Sequence, residues 1–165
     1  MDISQKDKDF EKAIADFGCI ITKVCYYFSA SPDEFNDLRQ EVLYNIWKGW
    51  DSFQNNSKLS TWIYRVCFNT CVSFRRKEKI QDQNISIEQI IDIPLEEDEA
   101  AIERYNTMYR MIRKLKYEDR ALLLMWLDKK TYDEIASFMG MNRNTVAVKL
   151  KRIKESLIKM NQDNY

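Results

Sequence analysis

The chain has 165 residues, with 26 lysines and arginines, 26 aspartates and glutamates, no histidine, 4 cysteines and 3 glycines. Its 45% apolar and 32% charged residues can build a core, so we expect one ordinary domain or two small ones and exclude a disordered tail. The composition also excludes glycine-rich phosphate loops, His-based catalytic triads, HExxH metal sites and Cys₂His₂ zinc fingers.

The neutral total charge hides a strong division along the chain. Residues 1–57 carry a net charge of −4, residues 58–80 carry +5, residues 81–103 carry −8 and residues 104–165 carry +7. The third segment has no basic residue and contains Pro94, so we predict that it is an acidic linker. The domains are then expected at 1–80 and 104–165.

Apolar residues recur at helical spacing in both predicted domains, and no segment shows the alternation of a β-strand. We therefore predict an all-α protein with two small helical domains. In the first domain, one helix carries the apolar stripe Phe10, Ile14, Phe17, Ile21, Val24 and Phe28. A second helix begins near Asp33, and a third follows the polar stretch 54–58 with Ser60 or Thr61 as its cap. After the linker, helices are expected around residues 105–115 and 119–127.

The cysteines are expected to be small buried hydrophobic residues. The N-terminus lacks the apolar segment of a signal peptide, which indicates a cytoplasmic protein whose reducing surroundings disfavour disulfides. Cys67 and Cys71 are four residues apart, but two thiolates without further ligands make a poor zinc site. We therefore predict burial for Cys19, Cys25, Cys67 and Cys71, and no metal ion or cofactor.

The sharpest local pattern is a helix-turn-helix near the C-terminus. Thr131 and Glu134 have the spacing of a capping box, and Gly140 is suited to end the helix that begins there. Asn142 can cap a second helix that starts at Arg143.

The second helix of this motif has one apolar side and one polar, basic side. Val146, Leu150, Ile153 and Leu157 fall within an arc of about 60° at 100° per residue, which predicts the buried stripe. Small and polar residues on the other side suit a major groove, where asparagine pairs with adenine and basic side chains hold phosphate or guanine. The candidate DNA contacts are Arg143, Asn144, Thr145, Ala147, Val148, Lys151, Arg152 and Lys154. A solvated basic helix surface is the alternative.

The first domain carries a resemblance to a known family. The sequences Asp37-Leu-Arg-Gln-Glu-Val-Leu-Tyr-Asn-Ile-Trp47 and Leu59-Ser-Thr-Trp-Ile-Tyr-Arg-Val-Cys-Phe-Asn69 resemble region 2 of the extracytoplasmic-function (ECF) sigma factors of bacterial RNA polymerase. Tyr132-Asp-Glu-Ile-Ala136 and the helix after Asn142 are similar to their region 4. The resemblance covers roughly residues 10–160 in the family's order.

The resemblance implies a non-enzymatic subunit that binds core RNA polymerase and promoter DNA and that also binds an anti-sigma factor. It implies polymerase contacts at Asp37, Arg39, Gln40, Glu41 and Asn45. It implies contacts to the melted minus-ten strand at Phe53, Gln54, Asn55, Asn56, Lys58, Trp62, Arg65 and Asn69, while the helix-turn-helix reads the minus-thirty-five element.

Each implied role has an ordinary alternative. Some of the aromatic residues, Trp62 above all, are equally suited to core packing, and the polar side of the second helix is equally suited to solvent. The linker can span at most about 75–80 Å, enough for two turns of DNA, but it also fits a plain spacer.

Two other functional classes were weighed against the sigma factor hypothesis. A helix-turn-helix regulator would bind duplex DNA without polymerase. A hydrolase or transferase has little support, because no nucleophile with a base partner can be assembled from recognisable motifs. Since the total charge is zero, we expect weak DNA binding by the isolated protein.

Overall fold

In the computed structural model, residues 3–53, 57–77 and 99–163 are described, and their regular elements are all helical. This confirms the all-α prediction. The helices are α1 (Ile3–Phe28), α2 (Pro32–Gly49), α3 (Leu59–Lys77), α4 (Glu99–Arg113), α5 (Tyr117–Leu127), α6 (Tyr132–Met139) and α7 (Arg143–Gln162), with a 3₁₀ helix at Trp50–Ser52.

The chain divides into two compact units, residues 1–85 and 86–165. Residues 99–103, which the charge count assigns to the linker, belong to α4. The other residues of that segment, 81–98, lie outside the described ranges.

The first unit is a bundle in which α1, α2 and α3 each contact the other two. Its core is apolar because each helix turns one stripe inward at helical spacing. The fully buried side chains include Ile21, Val24, Cys25, Phe28, Leu38, Val42, Ile46, Ile63, Cys67 and Cys71.

The prediction of buried cysteines is confirmed at three positions and wrong at Cys19, which is exposed. At 100° per residue, Cys19 points about 160° away from the buried Ile21 on α1. Burial raises the pKa of the Cys67 and Cys71 thiols well above the usual value. Both thiols therefore stay protonated and act as small hydrophobic residues.

The start of α3 differs from the prediction. The helix begins at Leu59, so the predicted cap at Ser60 or Thr61 is wrong. The carbonyl of Lys58 accepts hydrogen bonds from the N–H groups of Thr61 at 2.9 Å and Trp62 at 3.1 Å. These bonds start the helix before either hydroxyl residue and join α3 to the preceding loop.

The second unit is built around α5, which packs against α6 and α7, while α4 packs against α7. Its buried side chains include Tyr109, Ile112, Leu122, Leu124, Met125, Ile135, Val146, Leu150 and Ile153. On α4, Tyr109 and Ile112 face the core, while Tyr105 is 43% exposed. Arg120 is buried and donates hydrogen bonds to the carbonyls of Arg113 and Leu115, which would otherwise lack helical partners.

Candidate nucleic-acid interface

The helix-turn-helix forms as its caps predict. The N–H of Glu134 donates to Thr131 Oγ1 at 3.2 Å, and the N–H of Thr131 donates to Glu134 Oε2 at 2.8 Å, which completes the capping box. Gly140 ends α6 at φ +66°, a left-handed backbone conformation that residues with a side chain rarely adopt. Asn142 Oδ1 then accepts the N–H of Thr145 at 2.8 Å, which fixes the start of α7.

One side of α7 is free of core contacts and carries most of the predicted DNA-contacting residues. Val146, Leu150 and Ile153 are buried as predicted, while Leu157 is half-buried. Ala147 is half-buried. The apolar residue Val148, about 100° from Ala147 around the helix, is 50% exposed. The other predicted DNA-contacting residues exposed on this outer face of α7 are Asn144, Lys151 and Arg152. Glu155 is exposed on the same side and lies 3.9 Å from Lys151 in an ion pair whose two side chains are mostly exposed.

Several residues at the edges of this outer face have protein partners. Lys154 Nζ lies 3.7 Å from the centroid of the Trp126 ring, a cation–π contact that holds the half-buried lysine against α5. Thr145 Oγ1 bonds to Asn142 Oδ1 at 2.9 Å, so this hydroxyl supports the cap. Arg143 lies 3.7 Å from Asp133, but both side chains are mostly exposed and the pair leaves the guanidinium accessible.

In the first unit, α2 presents a polar face to solvent. Asp37, Gln40 and Glu41 are exposed and lie within about 100° of one another around the helix. Tyr44 is 58% exposed on the same side, and we name these four residues the α2 face. Sequence reasoning missed Tyr44, although its spacing of four and three residues from Gln40 and Glu41 predicts this position.

Two other residues predicted as polymerase contacts lie elsewhere on α2. Arg39 is exposed but points about 160° away from Asp37. Asn45 is half-buried, and its Nδ2 donates a hydrogen bond to Thr70 Oγ1 of α3 at 3.1 Å. The structure therefore separates Arg39 from the α2 face, whereas Asn45 lies one turn after Glu41 and lines the same groove between α2 and α3.

The predicted minus-ten residues that precede α3 are only partly described. Gln54, Asn55 and Asn56 lie outside the described residues. Phe53, before them, is half-buried with its ring centroid 5.2 Å from that of Trp62. Lys58, after them, is exposed.

The half-buried Trp62 packs in the way that the core-packing alternative expects. Its ring centroid is 6.1 Å from that of Trp50, in an edge-to-face arrangement. A Cβ at Gly49 would lie 3.1 Å from Trp62 Cζ2, so the ring covers this glycine closely. Arg65 and Asn69 are exposed on α3 and lie within about 60° of Trp62 around the helix, so the three predicted contacts share one side.

Both units match known families in this order along the chain. Residues 17–80 match sigma-70 region 2, and residues 105–157 match sigma-70, region 4. The ECF RNA polymerase sigma factor SigW of Bacillus subtilis is 30% identical over an alignment of 179 positions, which covers 98% of this chain and 95% of SigW. The chain belongs to the ECF sigma factor family. The ECF RNA polymerase sigma-E factor of Escherichia coli is 26% identical, with 73% of this chain and 70% of that protein covered.

Solved structures show the same fold as this ECF sigma factor. The sigma factor RpoE, in a complex with the anti-sigma factor NepR from Bartonella quintana, matches with a TM-score of 0.74 at 18% identity over 94% of this chain and 98% of RpoE. CnrH, in a complex with the cytosolic domain of CnrY, matches with a TM-score of 0.71 at 15% identity over 96% of this chain and 91% of CnrH. The family is one of non-enzymatic transcription initiation factors.

In region 2 of this ECF sigma factor, an open groove of about 540 Å³ runs between α2 and α3. Its lining residues are Glu41, Asn45, Val66, Asn69, Thr70, Ser73 and Phe74. The groove thus joins Glu41 of the α2 face to Asn69 of the candidate DNA-contacting side of α3. No helix in the described ranges is both long and apolar enough to cross a membrane.

Proposed function

We propose that this ECF sigma factor binds core RNA polymerase, recognises duplex minus-thirty-five DNA through α7 and melts the minus-ten element through α3 and the segment 53–58. The observation that carries the proposal is that one chain contains both a region 2 bundle and a helix-turn-helix whose outer face is exposed. The proposed domains are region 2 at 1–80, a linker at 81–103 whose last five residues already form the start of α4, and region 4 at 104–165. Polymerase lies in the cytoplasm, so the proposal places the protein there.

Recognition of the minus-thirty-five element is supported by the chemistry of the outer face of α7. Asn144 offers the amide that pairs with adenine, and the exposed methyl groups of Val148 can meet a thymine methyl. Lys151 and Arg152 supply positive charge for phosphates. The caps at Asn142 and Gly140 hold α7 at a fixed angle to α6, as insertion into a groove requires.

Melting is supported by the charge and the aromatic content around α3. Opening a base pair costs a few kcal/mol per unstacked base, so the protein must offer a compensating pocket or stacking surface. Arg65 and Asn69 line one exposed side of α3. Phe53 and Trp62, whose rings contact each other, stand before and after the polar residues 54–56 in the sequence. A strand held along α3 would therefore have its backbone near positive charge and an unstacked base near the segment 53–58.

Polymerase binding is proposed for the α2 face, together with Asn45 at its margin and Arg39 on another side of α2. The exposed carboxylates can orient a partner through polar contacts, and the exposed tyrosine beside them offers an apolar contact. An anti-sigma factor is a further proposed partner, since RpoE, which has the same fold, is solved in a complex with the anti-sigma factor NepR.

Reconstituted transcription tests the proposal. Core enzyme with this protein should initiate on a fragment from upstream of its own gene or on other fragments of its native genome, and thymines of the minus-ten region should become reactive to permanganate. A pull-down of core enzyme without DNA should succeed, which a regulator that binds only duplex DNA would not achieve. Failure to initiate on every native fragment would refute the proposal.

A further inference from the structure

The turn between α5 and α6 contains a lysine in a backbone conformation that suits glycine. Lys129 has φ +59°, and among the residues that the structure describes it is the one residue other than glycine with a positive φ. Its N–H donates to the Trp126 carbonyl at 2.9 Å, and the N–H of Lys130 donates to the Met125 carbonyl at 3.1 Å. A helix end closed by these two bonds usually has glycine at the left-handed position, as Gly140 is at the end of α6. The chain therefore accepts a steric cost at Lys129 that it avoids one helix later.

Contacts on both sides of this turn place it beside α7. Before the turn, the centroid of the Trp126 ring lies 3.7 Å from Lys154 Nζ. After the turn, the centroid of the Tyr132 ring lies 5.6 Å from Arg143 Cζ, and Asp133 lies 3.7 Å from the same guanidinium. Arg143 and Lys154 are about 20° apart around α7, so the turn runs along one edge of the outer face of that helix.

The two edges of this outer face differ in the positive charge that they offer to DNA. A helix in the major groove has a phosphate backbone on each side. On one edge of α7, Arg152 is exposed, about 160° around the helix from Lys154. On the other edge, Lys154 is held against an aromatic ring of α5 and Arg143 has an acidic neighbour. Lys129 is exposed beside this second edge, so it adds a cation where those of α7 already have protein partners.

We propose that Lys129 is a further DNA-contacting residue, which binds a phosphate of the minus-thirty-five duplex on the side of α7 opposite to Arg152. The inference rests on the proposed recognition of that element by α7. It explains why the turn contains lysine, because glycine would relieve the backbone but remove the charge. Periodicity along α7 does not indicate this residue, because it precedes the helix-turn-helix.

Lys129→Gly should bind DNA more weakly although its fold is more stable. The full chain in complex with core polymerase is titrated with a minus-thirty-five duplex from a promoter that the unmodified holoenzyme uses. Affinity should fall by about 2- to 5-fold at low salt, and the slope of log K against log salt should decrease by about 1. Protection of the α5 and α6 amides against hydrogen exchange should rise by about 2- to 10-fold, because glycine adopts a positive φ without steric cost.

Two further substitutions at the same position separate the charge from the backbone. Lys129→Asn, which also tolerates the left-handed conformation but has no charge, should lose as much affinity as Lys129→Gly. Lys129→Arg keeps the charge and should keep both the affinity and the salt slope. A loss of affinity in Lys129→Arg equal to that in Lys129→Gly would contradict a phosphate contact.

The matched control is Lys116→Gln, at the opposite end of α5. Lys116 is exposed and its side chain makes no capping bond, so its loss should leave the affinity and the slope unchanged. If the unmodified holoenzyme binds the duplex and Lys129→Gly has the same salt slope, or if Lys116→Gln loses as much affinity, the inference is wrong. If the unmodified holoenzyme does not prefer the minus-thirty-five duplex to unrelated DNA, the proposed function fails and the inference fails with it.

Discussion

Arg75 at the end of α3 forms a nearly buried ion pair with Glu34 at the start of α2. Arg75 Nη1 lies 2.8 Å from Glu34 Oε1, and the two side chains are 11% and 2% exposed. Glu34 also accepts a hydrogen bond from the N–H of Ala30, and its own N–H donates to the cap Ser31 at 3.1 Å. One carboxylate therefore fixes the turn between α1 and α2 and holds the far end of α3 to it.

Arg75→Met should strongly destabilise the first unit, because it leaves the Glu34 carboxylate buried without its cation. Removing one partner of a buried pair costs about 3–5 kcal/mol of unfolding free energy. Urea unfolding followed by tryptophan fluorescence measures this loss in a Trp126→Phe background, where the remaining tryptophans, Trp47, Trp50 and Trp62, all lie in the first unit.

The neighbouring Arg76→Met is the matched control, since Arg76 is exposed and its loss should cost less than about 0.5 kcal/mol. Adding Glu34→Gln to Arg75→Met should recover part of the loss, because the uncompensated charge is then gone. Equal losses from Arg75→Met and Arg76→Met would show that the pair does not support the bundle.

Tyr44→Ala should weaken binding of core polymerase by about 5-fold or more, if the α2 face is the polymerase contact. Tyrosine is enriched among the residues that dominate interfaces, where truncation often costs over 1 kcal/mol. The 58% exposed side chain contributes little to the core, so the thermal unfolding of the variant should stay unchanged. Fluorescence anisotropy of labelled protein titrated with core enzyme measures the affinity. Tyr105→Ala, at an exposed tyrosine of the second unit, is the control, and an equal loss there would remove the special role of Tyr44.

The sequence predicted the parts of this molecule whose signals are local. The capping box at Thr131 and Glu134, the left-handed Gly140 and the cap Asn142 each involve residues at most four positions apart, and all three form. The amphipathic spacing on α7 likewise identified Val146, Leu150 and Ile153 as buried. Such patterns act within one or two helical turns, so they can be read without the tertiary structure.

Long-range pairs could not be predicted in the same way. Nothing in the sequence around Arg75 indicates that its charge is paired with Glu34, 41 positions earlier, and the net charge of +5 for residues 58–80 counts it with the others. Lys6 and Asp51 are a second example. Charge counts along a chain therefore overstate the charge that faces DNA, because they include cations that the fold has already neutralised.

Arg152→Ala and Lys154→Ala should have different effects on the salt dependence of minus-thirty-five binding. Arg152 is exposed, and loss of a phosphate contact should lower affinity evenly across sequences and reduce the slope of log K against log salt by about 1. Lys154 is held 3.7 Å from the Trp126 ring, so its loss should change the slope less. Binding of holoenzyme to a minus-thirty-five duplex between 50 and 200 mM salt, a range of about fourfold, measures both slopes. An unchanged slope for Arg152→Ala would rule out its phosphate contact.

Asp128→Asn should stabilise the second unit at neutral pH. Asp128 is the C-cap of α5, and burial raises the pKa of its carboxyl to about 6 from 3.8, although nearby Lys130 opposes the shift. The folded state therefore binds more protons than the unfolded state between pH 3.8 and pH 6, so this group's contribution to stability falls as pH rises through that window. The asparagine avoids this loss. Its advantage should be full above pH 7 and absent near pH 4.

Asp163→Asn is the matched control, because Asp163 is the C-cap of α7 and is exposed. Both carboxylates meet the unfavourable negative end of a helix dipole, so the difference between the two variants isolates the effect of burial. Segment-resolved hydrogen exchange of α5 and α6, compared between variant and unmodified protein at each pH, measures the local stability without interference from the intrinsic exchange rate. Equal effects of both substitutions at pH 7, or an advantage of Asp128→Asn that persists at pH 4, would contradict a pKa raised by burial.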